Sequence, residues 1–528
     1  MLGTSKGEYV FVRVCIFLLD GVAPVCMLYC AIIAACPTFP FRLGTTFDLW
    51  ATAETLFWIL FFLPYRQYCQ RTTFPPIAPS QEIRRTLMNQ VKSEVADPEA
   101  FIRGWFKCAD IEDIGRQHVE QWVAWAFFGQ ALEQVVGEKV EADEIEEYVC
   151  ELERLLKRKF RPGKGTARPI RLTEDPVDMK RRSLLWYTWA DAVVKCVGLI
   201  DLLTCINLRS CGFILHRLSL PRCLLLFPFR PWSLLASRRS PAVHTSYWYR
   251  PHTSTTRLPV LFIHGIGIGL YPYADFLSRI DLAETSSETD PDDQIGVLAI
   301  EIMPVSFRIT HNALDREQFC AELRQILDSH SWDRFVMASH SYGSVFSTFV
   351  VADPNLRSRV TSLLLVDPVT FLLHTPDVAY NFTVRKPRRA NEWQLWYFAS
   401  KDPGVAYTLG RRFFWTTKVM WQTDLAALIH EGKRLTISLA GRDLIINAEA
   451  VRRCLEGGTT FLHNTRVGPK GSKERGDNVV QFVQAGQSCS RPDILWFGPL
   501  DHGQVFDDMR AKEALAAVLR RYCINASD

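Results

Sequence analysis

The chain lacks a CxxC pair, a Cys/His cluster at zinc spacing and a glycine-rich phosphate loop. Neither a structural metal nor a nucleotide is implied, and no cofactor is assigned. It also lacks a marked charge imbalance. Lys plus Arg number 61 and Asp plus Glu 57, a formal net charge of +4 that is too small to point to nucleic acid. The 15 cysteines run from Cys15 to Cys523 without a framework, which reads as reduced thiols in the cytosol and excludes a secreted disulfide scaffold. With 528 residues there is room for two or three domains.

Charge is missing altogether from Gly21 to Phe41, and apolar sequence reaches back across Asp20 to Val14. That length spans about 30 Å of hydrocarbon as a helix. A second block, Leu49 to Tyr65, is shorter and carries Glu54; the two form a candidate hairpin within an anchor region, 1–75. A cleaved signal peptide is the rival, but no small-x-small site leads into soluble sequence. Arg66, Arg71, Arg84 and Arg85 follow the second block, so the positive-inside rule puts the large C-terminal part on the cytosolic side of the endoplasmic reticulum or another internal membrane. Two glycosylation sequons, at Asn381 and Asn525, bear on function only if that topology is inverted.

Residues 76–240 read as a helical region with candidate membrane-surface segments. The clearest helix starts near Glu141, with Ile145, Val149, Leu152, Leu156 and Phe160 on one stripe, acidic first turns, basic last turns and a stop at Pro162-Gly163. Residues 161–183 have the composition of a linker. Leu184–Leu203 and Cys211–Leu235 mix apolar runs with charge; they suit either an interfacial segment or a buried helix pair.

From 244 to 528 short β-runs alternate with helical patterns, as a mainly parallel sheet requires. The runs are Val260–His264, Gly296–Ile302, Phe335–Ser339, Thr361–Val366, Leu435–Leu439 and Asp493–Phe497, with a helix at Glu317–Ser329. Two insertions break the rhythm: 371–430, dense in Trp, Tyr and Phe, and 464–477, a polar surface loop.

The β-run ending at Ser339 is followed by His340-Ser341-Tyr342-Gly343 and a helix-compatible run through Val351. This is the layout of a strained strand-to-helix turn that lifts a serine hydroxyl off a sheet, with small residues two positions to either side. The upstream position is Ser339 where glycine is commoner. About 75 residues earlier, another β-run ends in His264-Gly265-Ile266-Gly267. Together these resemble the oxyanion loop and nucleophile turn of the α/β-hydrolase family, over roughly residues 244–528.

The resemblance implies a doubly wound, mainly parallel α/β sheet with 371–430 as a lid. It implies Ser341 as nucleophile and an oxyanion hole of Ile266, Gly267 and Tyr342, with the amides of Ile266 and Tyr342 as the main donors. Asp443, in the Gly-x-Asp turn after a late strand, is the favoured acid, and Asp367 after the preceding strand is the alternative. His502, following the last β-run, completes the order Ser…Asp…His. The implied activity is hydrolysis of a carboxylic ester, lipid-like or otherwise hydrophobic, by a serine hydrolase at a membrane. Acyltransferase, thioesterase and amidase chemistry use the same groups, and a non-catalytic lipid-binding protein is the rival of another class. Oligomeric state is left open.

Overall fold

Short apolar runs, buried at almost every position, form the centre of one ten-stranded sheet. The computed structural model describes residues 2–36, 42–73, 75, 78–137, 139–188, 197–281, 293–457, 481–483 and 491–524. Its strands are β1 (Ile214–Arg217), β2 (Arg238–Arg239), β3 (Ser246–Arg250), β4 (Val260–Ile263), β5 (Val297–Glu301), β6 (Phe335–His340), β7 (Val360–Val366), β8 (Arg434–Ala440), β9 (Gln481–Val483) and β10 (Asp493–Phe497). They lie in the order β2-β1-β3-β5-β4-β6-β7-β8-β10-β9. The strands from β5 through β10 in that row are parallel, while β3 and β9 pair antiparallel with their neighbours.

Side chains split between two cores. Leu261, Ile263, Met337 and Leu365 face one side with the helices Arg316–Ser329 and Gly343–Ala352. Val260, Phe262, Val336 and Leu364 face the other with Ala274–Arg279 and Met509–Cys523. A parallel sheet covered on both faces is doubly wound. The six expected strands and the helix at 316–329 match the structure to within one residue at each end.

The sheet reaches further back than residue 244. β1 and β2 come from 214–239, and β1 pairs antiparallel with β3. Both are short and rich in Arg and His, so neither carries an alternating apolar pattern. The 211–235 segment is thus not a buried helix pair. Its Arg230 forms a buried two-pronged ion pair with Glu301 at 2.9 and 3.0 Å, and Ser246 Oγ donates to the same carboxylate at 2.7 Å. Outward, Leu220, Leu224, Leu225 and Leu235 stay exposed.

Residues 161–183 are no free linker either. Ile170 N–H donates to Trp105 O at 2.8 Å, Arg411 donates to the carbonyls of Thr173 and Asp175, and Ile170, Thr173 and Arg182 are buried. The helix expected to stop at Pro162 spans Lys139–Leu156 and ends where Lys157 takes a positive φ. Loop 464–477, Asn525, and the charged positions Asp191 and Lys195 lie outside the described residues.

Two N-terminal helices, 6–35 and 45–69, are long and apolar enough to cross a membrane. Their interrupting charges turn inward. Asp20 accepts from Tyr397 Oη at 2.9 Å, and Glu54 accepts from the amides of Leu184 and Leu185. Outward, Phe17, Leu18, Leu28, Leu49 and Leu60 are exposed.

Candidate active site

Ser341 sits between β6 and the helix Gly343–Ala352 with φ of +51°, a conformation that non-glycine residues adopt only under local constraint. The constraint is close packing. A Cβ on Gly343 would lie 2.4 Å from Ile263 O, and one on Gly265 would lie 2.8 Å from Ser341 Cβ. Ser339 stands where glycine is commoner, and its buried Oγ accepts from Ser347 Oγ at 2.8 Å.

The turn brings Ser341 Oγ to 2.7 Å from His502 Nε2, and His502 Nδ1 lies 2.6 Å from Asp443 Oδ2. The Asp443 carboxylate can only accept, so Nδ1 carries the hydrogen and Nε2 is left to accept from the serine. Asp443 Oδ1 is fixed by the amides of Ile445 and Ile446 at 2.7 and 2.9 Å. Burial disfavours charge on His502, but the charge and hydrogen bond of Asp443 outweigh it, with smaller help from Asp367 and Asp501, and raise the imidazole to about 9. Ligand atoms of Asp367, Asp443 and His502 also cluster at metal-like spacing. Each is already engaged with Ser341, with a backbone amide or with one another.

Asp367 lies close by but does not touch the imidazole. Its Oδ1 accepts from Ala440 N and its Oδ2 from Gly503 N, at 2.9 and 2.8 Å, tying the loop that carries His502 to the ends of β7 and β8. Burial pushes its carboxyl up to about 7. Asp501 fastens the same loop from the other side. Its Oδ1 accepts from the amides of His502 and Leu444, and its Oδ2 from Asn391 Nδ2 of the insertion.

The loop after β4, where the oxyanion donors are expected, is held by His264. Its Nε2 accepts from Ile302 N at 2.9 Å and its Nδ1–H donates to Gly265 O at 2.7 Å, while burial lowers its basicity. The amides of Ile266 and Tyr342 show no partner among the described residues. Gly267 does not fit the expected role: its N–H is spent on Val305 O at 3.0 Å, and what it supplies is backbone freedom at φ of +153°. His340 is not at the reacting face. Tyr273 Oη meets its Nδ1 at 2.7 Å, and burial holds the ring neutral.

Ser341 opens into an apolar cleft enclosing about 630 Å³ of empty space, its mouth included. The insertion supplies Phe382, Leu409, Phe413 and Trp415. Its other aromatics turn elsewhere: Trp393, Trp396, Tyr397 and Phe398 pack against the helix 6–35. The sequence reading missed the opposite wall, made by Trp105, Trp125 and Leu172. The helical region is joined to the insertion there, through Trp105 Nε1–H to His374 O at 3.1 Å and Trp415 Nε1–H to Ala126 O at 2.8 Å. A signal was present, since Phe101 to Phe128 is as dense in aromatics as the insertion itself.

Strand order, the strained serine turn and the loops behind β8 and β10 give the chain the α/β-hydrolase fold. No protein-family model matches it. A stretch of 94 residues, 18% of the chain, is 31% identical to a serine hydrolase-like protein of Homo sapiens; the match spans 44% of that relative, less than half its length. Similar solved structures include a bacterial membrane phospholipase A, 12% identical, covering 61% of this chain and 91% of its own, with a TM-score of 0.36. A carboxylesterase of Nitrososphaera gargenis is 13% identical, with 54% and 97% covered and a TM-score of 0.34. An esterase of Thermogutta terrifontis is 11% identical, with 53% and 94% covered and a TM-score of 0.34.

Proposed function

We propose that the chain is a membrane-associated serine hydrolase that cleaves the carboxylic ester of a hydrophobic, lipid-like substrate through an acyl-enzyme. The observation that carries this reading is the unbroken hydrogen-bond chain from Ser341 through His502 to Asp443 at the edge of an apolar cleft. A serine hydroxyl needs a base, an orienting acid and oxyanion donors, and each has a candidate here.

In this mechanism Ser341 Oγ attacks the ester carbonyl carbon while its proton passes to His502 Nε2. The tetrahedral oxyanion is received by the amides of Ile266 and Tyr342. Its collapse breaks the carbon–oxygen bond to the alcohol, and His502 returns the proton to that leaving oxygen. Water then repeats the sequence in the alcohol's place: it loses its proton to His502, attacks the acyl carbon and releases the acid, and the proton goes back to Ser341. Asp443 keeps Nδ1 protonated and steadies the imidazolium. Glu54, Asp20 and the outward apolar faces of 6–35 and 45–69 support an anchor whose polar groups are satisfied by protein. The arginines after the second helix support a cytosol-facing site, which protease accessibility in sealed microsomes checks. The Asn381 sequon is a poor glycan carrier in any orientation. Its amide donates to Ile445 O and accepts from Arg385.

A fluorophosphonate probe tests the site directly. Wild-type protein should be labelled and Ser341→Ala should not; an unlabelled, folded wild type overturns the reading.

A further inference from the structure

We infer that the acyl chain threads between the insertion and the helical layer into a second cleft, and that Phe413 controls how long a chain is accepted; this rests on the ester-hydrolase reading above. The second cleft spans about 290 Å³ of empty space, its mouth included, and is lined also by Pro75, Pro79 and Gly129. It shares three residues with the cleft at Ser341, namely Trp125, Phe413 and Trp415. These three side chains border both spaces and form the partition between them. No charged side chain lines either cleft, so the group that fits is an apolar chain rather than a polar headgroup.

Which arm of the ester enters is fixed by the reacting groups. Ile266, Ser341 and Tyr342 line the first cleft, whereas His502 does not. The leaving oxygen must face His502 Nε2 to receive its proton, which puts the alcohol outside the cleft and the acyl chain inside it.

The three partition residues are not equally free. Trp125 Nε1–H donates to Thr173 Oγ1 at 2.9 Å and Trp415 Nε1–H to Ala126 O at 2.8 Å, so rotating either indole breaks a buried hydrogen bond. Phe413 has no polar atom to lose. Its ring rests against Tyr342, centroids 6.1 Å apart, and against the Lys418 ammonium at 5.5 Å. It is the member of the partition that can swing without breaking a hydrogen bond, and it touches the residue next to the nucleophile. A slim unbranched chain passes such a gate more readily than a fused ring system of similar volume.

The test compares kcat/KM for p-nitrophenyl palmitate, octanoate and butyrate with the full chain in detergent micelles, and reads the palmitate-to-butyrate ratio. Phe413→Ala, which merges the clefts, should raise that ratio about tenfold, and Thr416→Trp, which fills the far cleft from a half-buried position, should lower it by about as much. Phe413→Leu gives the same reading with less cavity should the alanine variant not fold. Ratios unchanged in the variants, with Ser341 still labelled by a fluorophosphonate, overturn the threading path and leave the hydrolase reading standing. A folded wild type that is not labelled overturns the hydrolase reading, and the path with it.

Discussion

The neighbouring parallel strands β7 and β8 each end in a turn that buries an aspartate beside the same histidine loop, yet the two carboxylates have different partners. Asp443 takes both of its backbone amides on Oδ1, which leaves Oδ2 for His502 Nδ1. Asp367 accepts from Ala440 N on one oxygen and from Gly503 N on the other, so both of its oxygens are aimed at backbone amides and neither at the imidazole. Position at a strand end therefore does not decide which residue orients the base. What decides it is how the backbone divides its donors between the two oxygens.

Exchanging each carboxylate for an amide is the sharpest way to break this comparison. In Asp443→Asn, Oδ1 keeps its two amides and the new NH₂ faces His502 Nδ1. The imidazole must then carry its hydrogen on Nε2, where it cannot accept from Ser341. A loss of about ten-thousand-fold in kcat/KM is expected. In Asp367→Asn the NH₂ must face Ala440 N or Gly503 N, so one buried donor loses its partner. That should cost about 1–3 kcal/mol in denaturant unfolding and only about tenfold in kcat/KM, through a looser His502 loop. An active Asp443→Asn beside a dead Asp367→Asn would exchange the two roles.

The same pair should separate by pH. In the proposed mechanism neutral His502 is the base, so activity should rise as the imidazole loses its proton, through a midpoint of about 9. Asp443 raises that midpoint most and Asp367 less. Imidazole NMR should therefore show a lower His502 midpoint in both amide variants, with the larger fall in Asp443→Asn. Equal shifts would mean that charge near the ring matters more than the direct hydrogen bond.

How much of this was legible in the sequence follows the range of the interactions. The strands β4 to β8 and β10 carry their own apolar runs and bounding turn residues, and Ser341, Asp443 and His502 stand directly behind strand ends, so local pattern suffices for them. β1, β2 and the packed strap at 161–183 have no such pattern. Their places depend on pairing with β3, on Glu301 receiving Arg230 and on Arg411 reaching the carbonyls of Thr173 and Asp175. The wall made by Trp105 and Trp125 was hidden for the same reason: it forms from residues more than two hundred positions away from Ser341 in sequence. Gly267 shows the reverse error. Its place in the motif was right, but a single hydrogen bond to Val305 O removes its amide from the reaction.

The end of β6 extends the comparison to a strand whose turn is braced by hydroxyls instead of a carboxylate. Ser339 and Ser347 are both fully buried, and their Oγ atoms are 2.8 Å apart. Removing one partner leaves the other hydroxyl desolvated and unpaired, so Ser347→Ala should cost about 1–2 kcal/mol of stability. Neither hydroxyl bonds the reacting groups, so kcat/KM should change by no more than about twofold. Ser339→Gly combined with Ser347→Ala removes both polar groups at once and restores the commoner small residue. The double variant should therefore be destabilised by less than the sum of the two single changes in a thermodynamic cycle. Strict additivity would show that the two hydroxyls do not brace each other, and that Ser339 is tolerated at this turn for its size alone.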